Sequence, residues 1–197
     1  KLFGGTGNQL FQYATGRQKS LLLKSQLKLD VTGFNHDPLR KYSLHAFNTE
    51  EKFASEAEIS QAKKGMTRKV WRCLFSFLER MVARKKRWTA FHELHVMPYN
   101  PAVLSAEGNI YLEGYWQSEK YFARIGDIIR QEFTMKAQPG LPSKEMAEKI
   151  MKTQSVSVHF RRGDYVSNEV TREVHGVLGK EYYDAGIKLI RERVRDP

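Results

Sequence analysis

One break in the chain constrains its fold more than any other feature. Gln138-Pro139-Gly140-Leu141-Pro142-Ser143 places two prolines and a glycine within six residues. Proline removes a backbone donor and fixes φ, and glycine lacks a preferred conformation, so no regular element runs through such a segment. The chain is therefore expected to divide into a first domain over 1–137, a linker at 138–143 and a second domain from 144 onward. Past the linker, Ser143 to about Met151 reads as a short helix. Val156, Val158 and Phe160 then alternate with Ser155, Ser157 and His159 as a strand. Residues 180–194 read as a helix through Tyr183, Ile187, Ile190 and Val194. A strand, a charged loop and a helix are the first unit of an α/β domain. One such unit cannot cover a parallel sheet, so the second domain reads as truncated at Pro197.

Residues 1–137 also carry mixed α/β patterning. The glycine turn at Gly4-Gly5-Thr6-Gly7 leads into a helix to about residue 24, with Leu10, Phe11, Ala14, Leu21 and Leu22 at near-helical spacing. Leu27, Leu29 and Val31 alternate with polar residues as a strand that Gly33 stops. Ile110-Tyr111-Leu112 form a further strand ahead of Gly114. A helix follows with Ser118 as its N-cap and Phe122, Ile125, Ile129 and Phe133 on its inner face.

The composition, 41% hydrophobic and 28% charged over 197 residues, is that of a globular protein rather than a disordered or fibrous one. No apolar run approaches the roughly 20 residues of a spanning helix, and Lys1-Leu2-Phe3-Gly4-Gly5 does not open a secretory signal. A cytoplasmic chain, peripheral at a membrane, is expected. Cys73 stands alone, which excludes an internal disulfide framework and a cysteine-built metal site. The net charge of +11 is concentrated: residues 61–92 hold ten Lys and Arg against the single acid Glu79, which is +9 of the total. Val70, Trp71, Leu74, Phe75, Leu78, Met81 and Val82 fall on one helical face of that stretch. Three readings stay open for it: a basic surface helix packed on the core, a helix lying on an anionic membrane surface, and a nucleic-acid contact. The last has no reading motif beside it, so nucleic acid is not an expected partner. A binding module docking on anionic membrane or nucleic acid through residues 63–87 is the alternative to an enzyme.

Two motifs carry chemistry. Gly4-Gly5-Thr6-Gly7-Asn8-Gln9 stands immediately before a helix, where glycines allow close approach and the helix start offers free amide donors. It lacks the Lys-Ser/Thr of a P-loop and the spacing of a dinucleotide fingerprint, so an ordinary strand-to-helix turn fits it equally well. His159-Phe160-Arg161-Arg162-Gly163-Asp164-Tyr165 follows the 156–160 strand at its carboxyl end, where open α/β sheets bind ligands. Adjacent guanidinium groups suit a diphosphate, and Asp164 can hold one of them or His159; a surface ion-pair cluster is the other reading. No Asp-x-Asp occurs in the chain, and His92 and His95 lack a third ligand, so no metal site is assigned.

Three segments in succession resemble the signatures of the α-1,2-fucosyltransferases, glycosyltransferase family eleven. They are Gly4-Gly5-Thr6-Gly7-Asn8-Gln9-Leu10-Phe11-Gln12-Tyr13-Ala14, Gly114-Tyr115-Trp116-Gln117-Ser118-Glu119-Lys120-Tyr121-Phe122 and His159-Phe160-Arg161-Arg162-Gly163-Asp164-Tyr165-Val166. Thr6 replaces a frequent Leu and Phe160 a frequent Ile. The family's Ser- and Trp-rich C-terminal motif and the strand before the glycine turn are missing. The resemblance implies a GT-B fold of two Rossmann-like domains, the second incomplete here. It implies inverting transfer of fucose from GDP-β-L-fucose to the 2-hydroxyl of a terminal β-galactoside, without a metal or other cofactor. It also implies that Arg161 and Arg162 contact the diphosphate and that His159 and Asp164 support them, with Arg161, Asp164 and His159 as the catalytic set. Gly5, Gly7 and Asn8 would complete the donor-binding set, with Asn8 near the sugar.

Overall fold

A computed structural model describes residues 1–67, 88–93, 98–160, 162–167, 169, 172, 173 and 176–194. Backbone contacts divide the chain into two units, Lys1–Ala137 and Gln138–Pro197. Most of the basic stretch, 68–87, lies outside the described residues.

The first unit is built around α1 (Thr6–Leu22), which starts at Gly5. Its buried face differs from the expected apolar one. Tyr13 and Ala14 are fully buried, but so are Gln9 and Thr15, while Leu21 and Leu22 are 39% and 42% exposed. The helix is enclosed on several sides, and Gln9 and Lys19 turn inward because loops offer them backbone partners. Lys19 Nζ donates to the Leu104 carbonyl at 2.7 Å and to that of Ala106, capping the end of a short helix, α3 (Ala102–Ser105). Burial pulls its pKa down. Buried polar groups are tolerable on such terms.

Two parallel strands, β1 (Trp88–His92) and β2 (Asn109–Glu113), pair from Trp88 opposite Asn109 to His92 opposite Glu113. β2 is the expected 110–112 strand. β1 went unread because Trp-Thr-Ala-Phe-His, aromatic and β-branched enough for a strand, directly follows the basic run. The Lys1 amino group donates to the Leu112 carbonyl at 2.7 Å, Leu2 N to Asp30 O at 2.7 Å, and Leu29 N to Lys52 O at 2.7 Å. Sheet-like hydrogen bonding therefore continues past β2 through three more segments. The expected strand over 27–31 shrinks to one parallel bridge, Leu29 with Phe53. The cause is Asp30. Its carboxylate accepts from Thr32 N at 2.9 Å and Thr32 Oγ1 at 2.7 Å, which bends the backbone into a 3-10 turn, Thr32–Phe34.

The region expected as one helix after Ser118 breaks into 3-10 turns, Glu119–Tyr121 and Ala123–Ile125, followed by α4 (Gly126–Glu132). Ser118 does cap the first turn, accepting from Lys120 N. Ile125 and Ile129 enter the main core with Leu2, Tyr13, Ala14, Leu29 and Leu44. Val103, Trp116 and Tyr121 form a second cluster, and Phe122 packs against both. A further helix, α2 (Glu56–Thr67), precedes the basic stretch.

The second unit holds α5 (Leu141–Met151), α6 (Gly163–Ser167) and α7 (Lys180–Arg193). α5 starts inside the six-residue break, with Pro142 in its first turn, where a missing N–H costs nothing. The strand expected at 155–160 is absent. Val156, Val158 and Phe160 are 43%, 42% and 51% exposed, because a strand needs a neighbour to pair with and none stands among the described residues of this unit. Phe160 instead lies against Tyr183, ring centroids 4.1 Å apart.

Candidate functional site

The glycine turn is held from behind. Gln9, fully buried, donates from Nε2 to the carbonyls of Gly4 at 3.0 Å and Lys41 at 2.9 Å, and its Oε1 accepts from Ser43 N at 2.9 Å. Gln12 Oε1 accepts from Phe3 N at 3.1 Å, and Ser43 Oγ donates to Thr6 Oγ1 at 3.0 Å. One amide therefore locks the turn to the 41–43 loop. Gly4 needs to be glycine: its φ is +77°, and a Cβ would sit 2.8 Å from Asn8 Nδ2. Gly5 and Gly7 differ, since a Cβ on either would meet nothing within 4 Å. Their open side is free for another molecule to approach the first turn of α1.

The second motif meets the first. Tyr115 packs edge-on against Phe3 with centroids 5.0 Å apart, and Gln117 Nε2 donates to Asn8 Oδ1 at 2.7 Å. Between them Trp116 adopts φ +55°, a left-handed backbone that a bulky residue rarely takes. Two contacts hold it there. Its N–H donates to the Glu93 carboxylate, and its ring, 2% exposed, packs edge-on against Tyr121 at 5.5 Å. Gly114 permits the approach, because a Cβ there would lie 2.4 Å from Glu93 Cβ. Trp116 is thus a core residue that turns its neighbours outward.

A cavity of about 460 Å³ lies between α1, residues 25–30 and β2, and does not include Gly5, Gly7 or Asn8. Trp116 and Gln12 line it, with Trp116 Nε1 and Gln12 Nε2 buried and unpartnered among the described residues. Asp30 lies at its wall, 2% exposed, accepting from Tyr111 Oη at 2.5 Å. Burial alone would raise the Asp30 pKa, but hydrogen bonds from Tyr111 and Thr32 outweigh it and hold the carboxyl below its ordinary value.

Of the remaining predicted residues, His159 and Arg162 belong to the second unit and are exposed. Asp164 stands in α6. Arg161 lies outside the described residues. Gly5, Gly7 and Asn8 gather on the first turn of α1, joined by Gln117. Reasoning from sequence missed Gln9, Ser43, Glu93 and the positioning role of Trp116. Only Gln9 and Trp116 stood in recognisable motifs, and no local signal marks Ser43 or Glu93. Among the described residues no three His, Cys, Asp or Glu side chains gather closely enough to hold a metal ion, and no helix is long and apolar enough to cross a membrane.

The family follows from comparison with known proteins: residues 2–197 match the model of glycosyl transferase family 11, and the chain belongs to that family. It is 34% identical over 196 residues, 98% of this chain and 63% of the relative, to an alpha-1,2-colitosyltransferase of Escherichia coli. It is 27% identical to the O-antigen biosynthesis glycosyltransferase WbnK of the same organism, over 97% of this chain and 67% of that protein. The chain spans a little under two thirds of the length of the first of these. No solved structure matches it.

Proposed function

We propose that the protein to which this chain belongs is an inverting α-1,2-fucosyltransferase of the GT-B type. It would transfer fucose from GDP-β-L-fucose to the 2-hydroxyl of a terminal β-galactoside. The observation that carries this reading is the order of three motifs, at 4–14, 114–122 and 159–166, within a family match over residues 2–197. The chemistry is one in-line displacement. The galactose 2-oxygen bonds to the anomeric carbon of fucose, the bond from that carbon to the β-phosphate oxygen breaks, and GDP leaves with the electron pair. Negative charge grows on the departing phosphate. Arg161 and Arg162 supply fixed positive donors there, so the reaction needs no metal in this reading. The hydroxyl proton passes to a base, for which Asp164 and His159 are the nearest groups in the motif. Gly5, Gly7 and Asn8 serve the sugar end of the donor. Work on a membrane-borne glycan would place the basic 61–92 stretch at an anionic lipid surface on the cytoplasmic side.

A second reading concerns the donor sugar alone. The resemblance to an alpha-1,2-colitosyltransferase makes colitose the other candidate for the transferred residue, with the same α-1,2 linkage. Release of GDP by the full-length protein, measured with GDP-fucose across a panel of β-galactosides, tests the first reading, and a colitose donor in parallel tests the second. Arg161→Ala and Arg162→Ala should each lower turnover by about 100-fold or more, the usual cost of removing a donor that stabilises a developing anion. Near-normal turnover in both variants overturns the arginine assignment.

A further inference from the structure

We propose that Asn8 and Gln117 form a hydroxyl-binding patch for a neutral sugar ring, and that Trp116 is the positioning residue that builds it; the sugar is the one named by the fucosyltransferase reading, on which this inference rests. Three observations support it. First, the two amides meet across 109 positions of chain at 2.7 Å, and that bond spends one donor of Gln117 and one acceptor site of Asn8. Among the described residues nothing else engages Asn8 Nδ2 or Gln117 Oε1, which leaves a donor beside an acceptor. Adjacent hydroxyls on a pyranose each donate and accept, so that pairing matches a vicinal diol better than a phosphate, which only accepts.

Second, the surroundings suit a sugar. Gln117 is exposed and Asn8 half-buried. The neighbouring open faces of Gly5 and Gly7 leave room for a ring. Thr6 adds a hydroxyl on the same turn, and Tyr115 adds an aromatic edge held by Phe3. All of these groups are uncharged. Third, the backbone is strained to produce this arrangement. A tryptophan at φ +55° is in a conformation that a bulky residue rarely adopts and that persists only where its surroundings overdetermine it. Here the Glu93 carboxylate and the second core cluster do so. Were Trp116 in the extended region, residues 115 and 117 would point elsewhere and the contact with Asn8 would be lost.

The shared chemistry, a neutral pyranose, belongs to both the donor's fucose and the acceptor's galactose, so the test separates them. Saturation-transfer NMR on the full-length protein with GDP present would titrate L-fucose in one arm and lactose in the other. Saturable binding of one sugar, weakened about fivefold or more in both Asn8→Ala and Gln117→Ala, is the expected result, a hydrogen bond lost per variant. The arm that responds identifies the sugar. Trp116→Ala should weaken the same sugar to a similar degree while leaving the GDP affinity unchanged, which a general loss of fold would not do. No saturable binding of either sugar, or equal binding by wild type and both amide variants at matched thermal stability, overturns the proposal. Failure of donor turnover together with intact, variant-sensitive sugar binding would instead count against the fucosyltransferase reading alone.

Discussion

Asp30 shows how one side chain redirects a segment. Three hydrogen bonds, from Tyr111 Oη, Thr32 N and Thr32 Oγ1, converge on its carboxylate. They end the Leu27–Val31 alternation after a single bridge and pin the turn to β2. The same contacts couple the fold to pH. The folded carboxyl lies below its ordinary value of 3.8. Its contribution to stability is therefore complete above that value and is lost as pH falls through the folded pKa, where the unfolded chain binds the extra proton. Asp30→Asn should flatten the acid limb of stability below about pH 4 as well as lowering stability at neutral pH. Tyr111→Phe should shift that limb upward by weakening the hold on the carboxylate. Urea denaturation across pH 3–7 reads both effects, and an acid limb unchanged in Asp30→Asn would remove the assignment.

At the scale of elements, α1 is the organiser. Tyr13 Oη donates to Glu132 at 2.7 Å and accepts from Glu50 N at 2.9 Å, while Arg17 pairs with Glu132 at 2.9 Å and with Glu50 at 2.7 Å. This network ties α1 to the end of α4 and to the 49–51 segment. Arg17 and Glu132 side chains are only 15% and 12% exposed, so the pair is shielded from water. Removing one partner of such a pair leaves the other poorly solvated. Glu132→Ala should cost about 2–4 kcal/mol and Tyr13→Phe about 1–2 kcal/mol, both measurable as loss of unfolding free energy. Equal stability of Glu132→Ala and wild type would show that the network contributes nothing. The helix itself was legible from the glycine turn and the spacing of Leu10 and Ala14. Which of its faces is buried was not, because Gln9 and Lys19 are buried by loop carbonyls that periodicity does not record.

At the scale of the whole molecule, the two units differ in what holds them. Lys1–Ala137 has two clusters of buried side chains, whereas Tyr183 is the only buried residue among the described residues of Gln138–Pro197. Local stability follows buried contacts. In the 197-residue chain the amides of α5 and α7 should therefore exchange with solvent orders of magnitude faster than those of α1 between Gln12 and Ser20. Comparable protection of α7 and α1 would contradict this. The amino-acid sequence by itself determined the family, the order of its three motifs and the existence of a helix after the glycine turn, one near 143–151 and one from 180, with ends that the structure moves by one or two residues; helical periodicity rests on contacts a few residues apart. Tertiary structure alone decided that Leu29 makes a bridge and not a strand, that Val156–Phe160 goes unpaired, and that Asn8 faces Gln117. Strand pairing and amide pairing join residues far apart in the chain, and their free energy depends on which surfaces fold against each other, which no local pattern contains.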